Sequence, residues 1–121
     1  MKVIKNMVTS IEQKIIQELT DKGERITYTA TSNLFYEGQV PVVAYLILSG
    51  NVHLMKSKKI KSTIGPGSLI GVKELMKNEA VEFSAMIMPE TEVCFLSRSD
   101  IFEIIDENSE LSEHISQLLT A

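Results

Sequence analysis

The chain has 121 residues, 44% of them hydrophobic and 23% charged, with 12 Lys and Arg against 16 Asp and Glu and a formal net charge of −4. This length supports one hydrophobic core, and the composition excludes a disordered or fibrous chain. The acidic balance is unsuited to gripping nucleic acid, which needs clustered basic residues. We therefore expect a single domain over residues 1–121 and no nucleic-acid partner.

The N-terminus and the cysteine content predict the compartment. The first residues lack the continuous apolar stretch of a secretory signal, and no apolar run approaches the roughly 20 residues that cross a bilayer. Cys94, the one cysteine, lies in the apolar run Val93–Leu96, which predicts a buried side chain and excludes an internal disulfide. The sequence thus predicts a cytoplasmic protein without a membrane partner.

An amphipathic helix is predicted over about residues 10–22. Its apolar residues recur at the spacing of one helix face. These residues are Ile11, Ile15, Ile16 and Leu19. Ser10 is a candidate N-cap, with Gln13 completing a capping box, and Gly23 is a candidate stop.

Short segments of β-favouring residues, most of them followed by a turn signal, fill residues 24–97. The candidate strands are 25–30, 34–36, 42–48, 51–55, 59–64, 83–88 and 92–96. In the first strand, Ile26 and Tyr28 are expected on one face because side chains alternate along a strand. Strands this short and regularly spaced are typical of an all-β sandwich or a jelly-roll barrel. The predicted fold class is mainly β with flanking helices.

Helical patterns interrupt and then close the β series. A short inserted helix is predicted over about 72–77, after Gly71, and terminal helices over about 99–120. Ser99 or Asp100 is the candidate cap of the first terminal helix. The last segment carries an apolar stripe of Leu111, Ile115, Leu118 and Leu119. This stripe is either a partner or dimer surface or a face that packs back on the barrel, and the sequence leaves both open.

Neither the basic residues nor the histidines form a recognisable site. The lysines at 56, 58, 59 and 61 have no aromatic neighbours, so we interpret them as a solvated hairpin and not as a nucleic-acid patch. His53 and His114 have no second ligand at metal spacing. A nucleophile elbow, a P-loop and a paired-cysteine motif are also absent. The sequence predicts no metal, no cofactor and no catalytic activity.

Several stretches, taken in order, resemble the cyclic-nucleotide-binding domain family. Leu34–Gln39 and Val43–Val52 resemble that family's early barrel, where a glycine turn precedes a tyrosine-containing strand that ends in Ser-Gly. Gly65–Gly71 is similar to the approach to its phosphate cassette, and Ser99–Ile105 to its post-barrel helix. The resemblance covers about residues 11–116. It implies a catabolite-activator-like jelly-roll β-barrel with an N-terminal helix, a short inserted helix and C-terminal helices.

The cassette departs from the family pattern at the residues that bind ligand. In the family, a glycine opens a short helix, a glutamate contacts the ribose, and an arginine before a small residue grips the cyclic phosphate. The resemblance matches Gly71 to the glycine, but Val72 stands where the glutamate is expected, with Glu74–Leu75 as a displaced pair. Ser84–Ala85 match the residues after the arginine, which places Phe83 at the arginine position. The resemblance therefore implies a degenerate member without the phosphate-binding arginine.

Two interpretations of Phe83 remain open. Either it fills the barrel where a ligand would sit, which we favour, or it lines a repurposed pocket that stacks an apolar ligand. Lys73 and Lys77 are candidate replacement cations. The candidate pocket residues are Gly71, Val72, Lys73, Glu74, Leu75, Phe83, Ser84 and Ala85.

Two functions follow from these interpretations. The first is a non-catalytic regulatory or protein-interaction module for which a cyclic nucleotide is a doubtful ligand. The second is a small-molecule or cyclic-nucleotide sensor with altered pocket chemistry. Because the chain ends at Ala121, where DNA-binding members of the family continue into a helix-turn-helix, we expect either to act through a protein partner or a homodimer.

Overall fold

The computed structural model describes residues 7–10, 13–107 and 112–113. Its helices are α1 (Gln13–Lys22), α2 (Val72–Lys77) and α3 (Arg98–Asp106). Its strands are β1 (Val8–Ser10), β2 (Glu24–Tyr28), β3 (Ser32–Phe35), β4 (Ala44–Ser49), β5 (Val52–Lys56), β6 (Lys59–Ile64), β7 (Ser68–Ile70), β8 (Ser84–Ile87) and β9 (Thr91–Leu96). The predicted fold class, mainly β with flanking helices, is confirmed. Within the described part of the chain, no helix is long and apolar enough to cross a membrane.

The strands form two antiparallel sheets. The five-stranded sheet has the order β1-β7-β4-β9-β2, and the four-stranded sheet has the order β3-β8-β5-β6. In the first sheet Leu46 pairs with Cys94, and in the second Leu54 pairs with Ala85. All four side chains are fully buried. Because paired residues share a face, each register buries an apolar pair on one side of its sheet.

The buried side chains divide into two clusters, one on each face of the five-stranded sheet. The barrel core lies between the sheets and consists of Met7, Leu34, Phe35, Ile47, Val52, Leu54, Ile70, Val81, Phe83, Ala85, Ile87 and Val93. The helix-side core consists of Leu19, Ala44, Leu46, Leu69, Val72, Leu75, Cys94, Leu96, Ile101 and Ile104. The helix-side core has no residue from the four-stranded sheet, so the helices that the structure describes pack against the five-stranded one.

The structure also contains strands and a cap that the sequence did not predict. β1 and β7 pair with each other, and Ser10, the candidate cap of α1, lies in β1 opposite Ser68. The predicted caps of α3 are wrong, because Ser97 holds that position. The Ser97 hydroxyl accepts from the Asp100 N–H at 3.1 Å, and the Asp100 carboxylate accepts from the Ser97 N–H at 2.8 Å. This reciprocal capping box begins the helix at Arg98, one residue before the predicted start.

The second terminal helix was predicted around an apolar stripe that lies outside the described residues. These are Leu111, Ile115, Leu118 and Leu119. Of this region the structure describes Ser112, whose side chain is buried, and Glu113. The Ser112 hydroxyl donates to the Ile105 carbonyl at 2.7 Å. This contact ties residue 112 to the last turn of α3.

The start of α2 depends on a glycine against which an aromatic ring packs. Gly71 has φ +84°, in the left-handed region that favours glycine. A Cβ added there would lie 2.7 Å from Cζ of Phe35. The Gly71 N–H donates to the Met7 carbonyl at 3.0 Å, and the Gly71 carbonyl accepts from the Leu75 N–H at 2.9 Å. One residue thus joins the segment leading into β1, the barrel core and α2.

Replacing this glycine tests the close approach. Gly38 is a matched control, since its φ is +88° but an added Cβ meets no atom within 4 Å. Left-handed strain costs a non-glycine residue roughly 1–2 kcal/mol, and we expect Gly38→Ala to lose about that much free energy of unfolding. Gly71→Ala should lose clearly more, because the Phe35 ring must also move. Urea denaturation measures both, and equal losses would contradict the packing argument.

Candidate functional site

The candidate pocket residues occupy the turn before α2, the helix itself and the first residues of β8. Val72 and Leu75 enter the helix-side core, whereas Phe83 and Ala85 enter the barrel core. Glu74 lies on the opposite side of α2 from Val72, because successive helical residues are about 100° apart. The structure therefore does not gather the predicted pocket residues around one space: two lie in each core, and the other four, Gly71, Lys73, Glu74 and Ser84, lie in neither.

Phe83 is a core residue of the barrel. Its side chain is 1% exposed and clusters with Phe35, Val52 and Leu54. Burial of a phenylalanine contributes about 1.5–3 kcal/mol relative to leaving it exposed. The position where the resemblance expects an arginine is thus occupied by an apolar side chain that stabilises the barrel.

Lys56 is the cation that the structure places beside Phe83. In the antiparallel β5–β8 pair Met55 lies opposite Ser84. The next residue of β5, Lys56, therefore lies close to Phe83, the residue before β8. The Lys56 Nζ lies 5.6 Å from the centroid of the Phe83 ring and 3.0 Å from Oε2 of Glu82. Sequence reasoning considered Lys73 and Lys77 for this role and missed Lys56, because only the strand register reveals it.

The loop before β8 is fastened to the loop after β3. The Gly38 N–H donates to the Val81 carbonyl at 2.9 Å, and the Val81 N–H donates to the Gln39 carbonyl at 2.8 Å. The Glu37 N–H donates to the Ser84 hydroxyl oxygen at 2.8 Å. Ser84, one of the candidate pocket residues, therefore already accepts a hydrogen bond from the protein itself.

Glu74 is a buried carboxyl with an unsatisfied oxygen. Its side chain is 6% exposed, and Oε1 has no hydrogen-bond partner among the residues that the structure describes. Burial raises the pKa of the Glu74 carboxyl above its ordinary value; the charges of Glu79 and Glu82 act in the same direction, and Lys73 opposes them. A buried acceptor left unpaired costs about 1–3 kcal/mol.

Arg98 joins the two helices that flank the site. Its Nη2 donates to the Leu75 carbonyl at 2.8 Å and to Oδ1 of Asn78 at 2.6 Å. Arg98 is the first residue of α3, while Leu75 and Asn78 lie in the last turn and at the C-cap of α2. The guanidinium is thus bound to the end of α2. Sequence reasoning placed Arg98 after the last strand and gave it no partner.

Metal ligation finds no support in the described part of the chain. Within residues 7–10, 13–107 and 112–113, no group of three or more His, Cys, Asp or Glu side chains is placed to hold an ion. The Nδ1 of His53 lies 2.7 Å from the Thr63 hydroxyl oxygen, and His114 lies outside the described residues. Cys94 is buried, as predicted, and burial raises the pKa of its thiol.

Comparison with known proteins assigns the family. The model of the cyclic nucleotide-binding domain matches residues 25–108. The cyclic AMP receptor protein of Thermus thermophilus is 27% identical over 101 residues, which are 79% of this chain and 47% of that protein. The chain therefore spans about half the length of this curated relative. It belongs to the cyclic nucleotide-binding domain family.

Solved structures show the same fold. The catabolite activator protein of Thermus thermophilus superposes with a TM-score of 0.71 at 23% identity, over 90% of this chain and 52% of that chain. A protein solved in work on a cyclic-GMP-dependent signalling pathway in bacterial phytopathogenesis superposes with a TM-score of 0.78 at 17% identity, over 90% of each chain. At these identities the likeness establishes the jelly-roll fold.

The pH dependence of stability tests the state of Glu74. Because the folded pKa is raised, the native state keeps a proton that the unfolded chain releases above its own pKa of about 4.3. The free energy of unfolding should then fall as pH rises through the window between the two pKa values. Glu74→Gln should remove this decline, so that it is more stable than the wild type at pH 7 and no more stable near pH 4.

Urea denaturation across this pH range measures the effect. Glu24→Gln, at the exposed start of β2, is the matched control and should keep the wild-type profile. A Glu74→Gln profile that parallels the wild type would show that the buried carboxyl titrates alike in both states.

Removing Arg98 should loosen the end of α2. A hydrogen bond to a charged group contributes about 1.5–3 kcal/mol, and we expect Arg98→Ala to lose about 1 kcal/mol because solvent competes at this exposed side chain. Amide exchange in Leu75–Asn78 should quicken, while Arg25→Ala, an exposed arginine in β2, leaves it unchanged. Unchanged exchange in Arg98→Ala would mean that the guanidinium does not hold the helix.

Proposed function

We propose that this chain is a non-catalytic regulatory module that acts through contacts with another protein and does not bind cyclic AMP in the family's usual way. One observation carries the proposal: Phe83, at the position of the phosphate-binding arginine, is 1% exposed within the barrel core. A phenyl ring offers no hydrogen bond to phosphate, whereas a guanidinium supplies a fixed fork of charged donors.

The charges near Phe83 support the same proposal. Lys56 is engaged with Glu82, so this pair presents no net positive charge to an anion. Both side chains are substantially exposed, and such a pair contributes only about 0–1 kcal/mol to stability. Lys77 is exposed on α2 and Lys73 is half-buried there. Among the described residues, a phosphate beside Phe83 would therefore meet Lys56, which is already paired with a carboxylate, and no arginine fork.

The relatives favour a regulatory role over an enzymatic one. The curated relative reported above is the cyclic AMP receptor protein of Thermus thermophilus. The proposal keeps one cyclic-nucleotide-binding-like domain over residues 1–121, with the barrel at about 24–97. Two expectations from the sequence, a cytoplasmic location and the absence of a nucleic-acid partner, stay predictions.

A second function has one observation in its favour. Within the described residues, Glu74 Oε1 is a buried acceptor without a hydrogen-bond partner, and Glu74 lies on the side of α2 opposite Val72. A ligand hydroxyl or amino group would satisfy this oxygen. The second candidate is thus a sensor with altered chemistry, in which Glu74 recognises the donor of a small molecule and the domain signals to a separate partner protein.

Calorimetric and thermal-shift titration with cyclic AMP, cyclic GMP and c-di-GMP separates the two functions. A ligand at one hundred times its dissociation constant stabilises the native state by about 2.7 kcal/mol. We expect no response at millimolar nucleotide. The cyclic AMP receptor protein of Thermus thermophilus serves as the assay control.

Saturable micromolar binding by any nucleotide would overturn the primary proposal. If Glu74→Gln then abolished that binding while Glu24→Gln preserved it, the second function would hold. If both variants bound like the wild type, the site would lie away from Glu74 and the second function would fail as well.

A further inference from the structure

The outer face of the four-stranded sheet carries a groove. Its volume is about 360 Å³. Its lining consists of Met55, Met86, Asn33 and Ser84 together with the charged residues Lys58 and Glu37 and with Ser57. The helix-side core lies on the other sheet, so the described helices do not fill this groove. A volume of this size lies within the range of about 300–1,000 Å³ that small ligand sites occupy, and it also suits an apolar side chain of a protein partner.

Strand alternation places an apolar strip on this face. Leu54 and Ala85 are fully buried in the barrel core, whereas the next residues, Met55 and Met86, are half-buried on the outside. Met55 pairs with Ile60, which is 57% exposed. We call Met55, Ile60 and Met86 the methionine strip. Methionine side chains adapt to irregular apolar partners, which suits this strip to recognition.

The neighbouring β5–β6 hairpin is positively charged although the chain is acidic overall. Its lysines at 58, 59 and 61 are exposed and, within the described residues, form no ion pair; we call them the hairpin lysines. The nearby carboxylates are Glu82, which pairs with Lys56, and Glu37, which accepts from the Ser57 N–H at 3.2 Å. The hairpin thus presents unpaired positive charge beside an apolar strip.

β6 is an edge strand of its sheet. An extended segment that adds to such an edge pairs through its backbone and places alternate side chains on opposite faces. Along β6, Lys59 and Ile60 alternate in the same way. In a segment that alternates acidic and apolar residues, the acidic side chains would lie beside Lys59 and the apolar side chains beside Ile60. Lysines on an edge oppose pairing with a second copy of the same lysine-rich strand.

We propose that the methionine strip and the hairpin lysines form a docking surface for an extended acidic segment of another protein, in which carboxylates alternate with apolar side chains. The inference rests on the proposed function and names the surface and partner chemistry of that interaction. Opposite charges steer the encounter and fix the register, while apolar side chains of the segment pack on Ile60, the β6 member of the methionine strip. Binding should weaken as salt screens the exposed lysines.

Methyl spectra of protein labelled at its methionine methyl groups test the proposal. Met55 and Met86 report on the groove, and Met7, buried in the barrel core, is an internal control. The probe is a synthetic ten-residue peptide of alternating Asp and Leu. We expect saturable shifts of the Met55 and Met86 signals and none of Met7. A peptide with Lys in place of Asp should give none, and one with Ser in place of Leu should bind at least tenfold more weakly.

A charge-reversal pair supplies the matched variants. Lys59→Glu should weaken peptide binding at least fivefold, whereas Lys77→Glu, the same charge change on α2, should alter it less than twofold. Circular dichroism checks that both variants fold. The proposal is overturned if millimolar peptide leaves Met55 and Met86 unshifted, if the lysine peptide shifts them equally, or if Lys59→Glu binds like the wild type.

Other outcomes of these experiments identify a different occupant of the surface or show which of the two proposals is wrong. Met55 and Met86 signals that change with protein concentration alone would replace the acidic partner with a second copy of this chain. Cyclic-nucleotide binding would remove the proposed function and leave the peptide shifts intact. Loss of the peptide shifts with no nucleotide response would remove this surface alone.

Discussion

The close approach of the Phe35 ring to the Gly71 backbone is the constraint on which the candidate site depends. Phe35 belongs to the barrel core and meets the Tyr45 ring edge-on at 5.4 Å between centroids. Gly71 sets the first turn of α2 and accepts Phe35 only because it lacks a Cβ. Interiors are close-packed, so a displaced ring must move its neighbours. The packing of the barrel core and the path of α2 therefore depend on each other, because neither Phe35 nor Gly71 can move without the other.

Phe83 stabilises the barrel core without a bound ligand. An arginine in the same buried place would be an unpaired charge, which costs several kcal/mol until a phosphate arrives. A phenylalanine instead adds to the core whether or not a ligand is present. The buried polar group that destabilises this region is Glu74, whose Oε1 has no hydrogen-bond partner among the described residues. This region therefore combines an apolar ring in the barrel core with a buried carboxyl on α2.

The sequence correctly predicted features that depend on residues close together in the chain. The inserted helix was expected at about 72–77 and lies at Val72–Lys77, and the apolar run around Cys94 correctly predicted burial. β1 and β7 have three residues each, too few to show alternation. The contact between Lys56 and Phe83 escaped prediction for a different reason. It depends on the register of β5 against β8, which pairs residues far apart in the chain.

The domain has two faces: the described helices pack on the five-stranded sheet, and the methionine strip lies on the outer face of the four-stranded sheet. On the helical face, Arg98 ties α2 to α3, and an ion pair between Lys22 and Glu107 ties α1 to the end of α3. These polar contacts link α1 and α2 to α3. On the opposite face, the methionine strip lies on β5, β6 and β8, whose inward residues form the barrel core.

A partner on that opposite face meets the residues next to Lys56 and Phe83 and has no direct contact with α2. Met55 and Met86 alternate with core residues on the same strands, so the packing of the barrel positions this outer face. The proposed partner-binding face is compatible with a barrel core that contains Phe83, because a surface that is already ordered loses less conformational entropy when a partner binds.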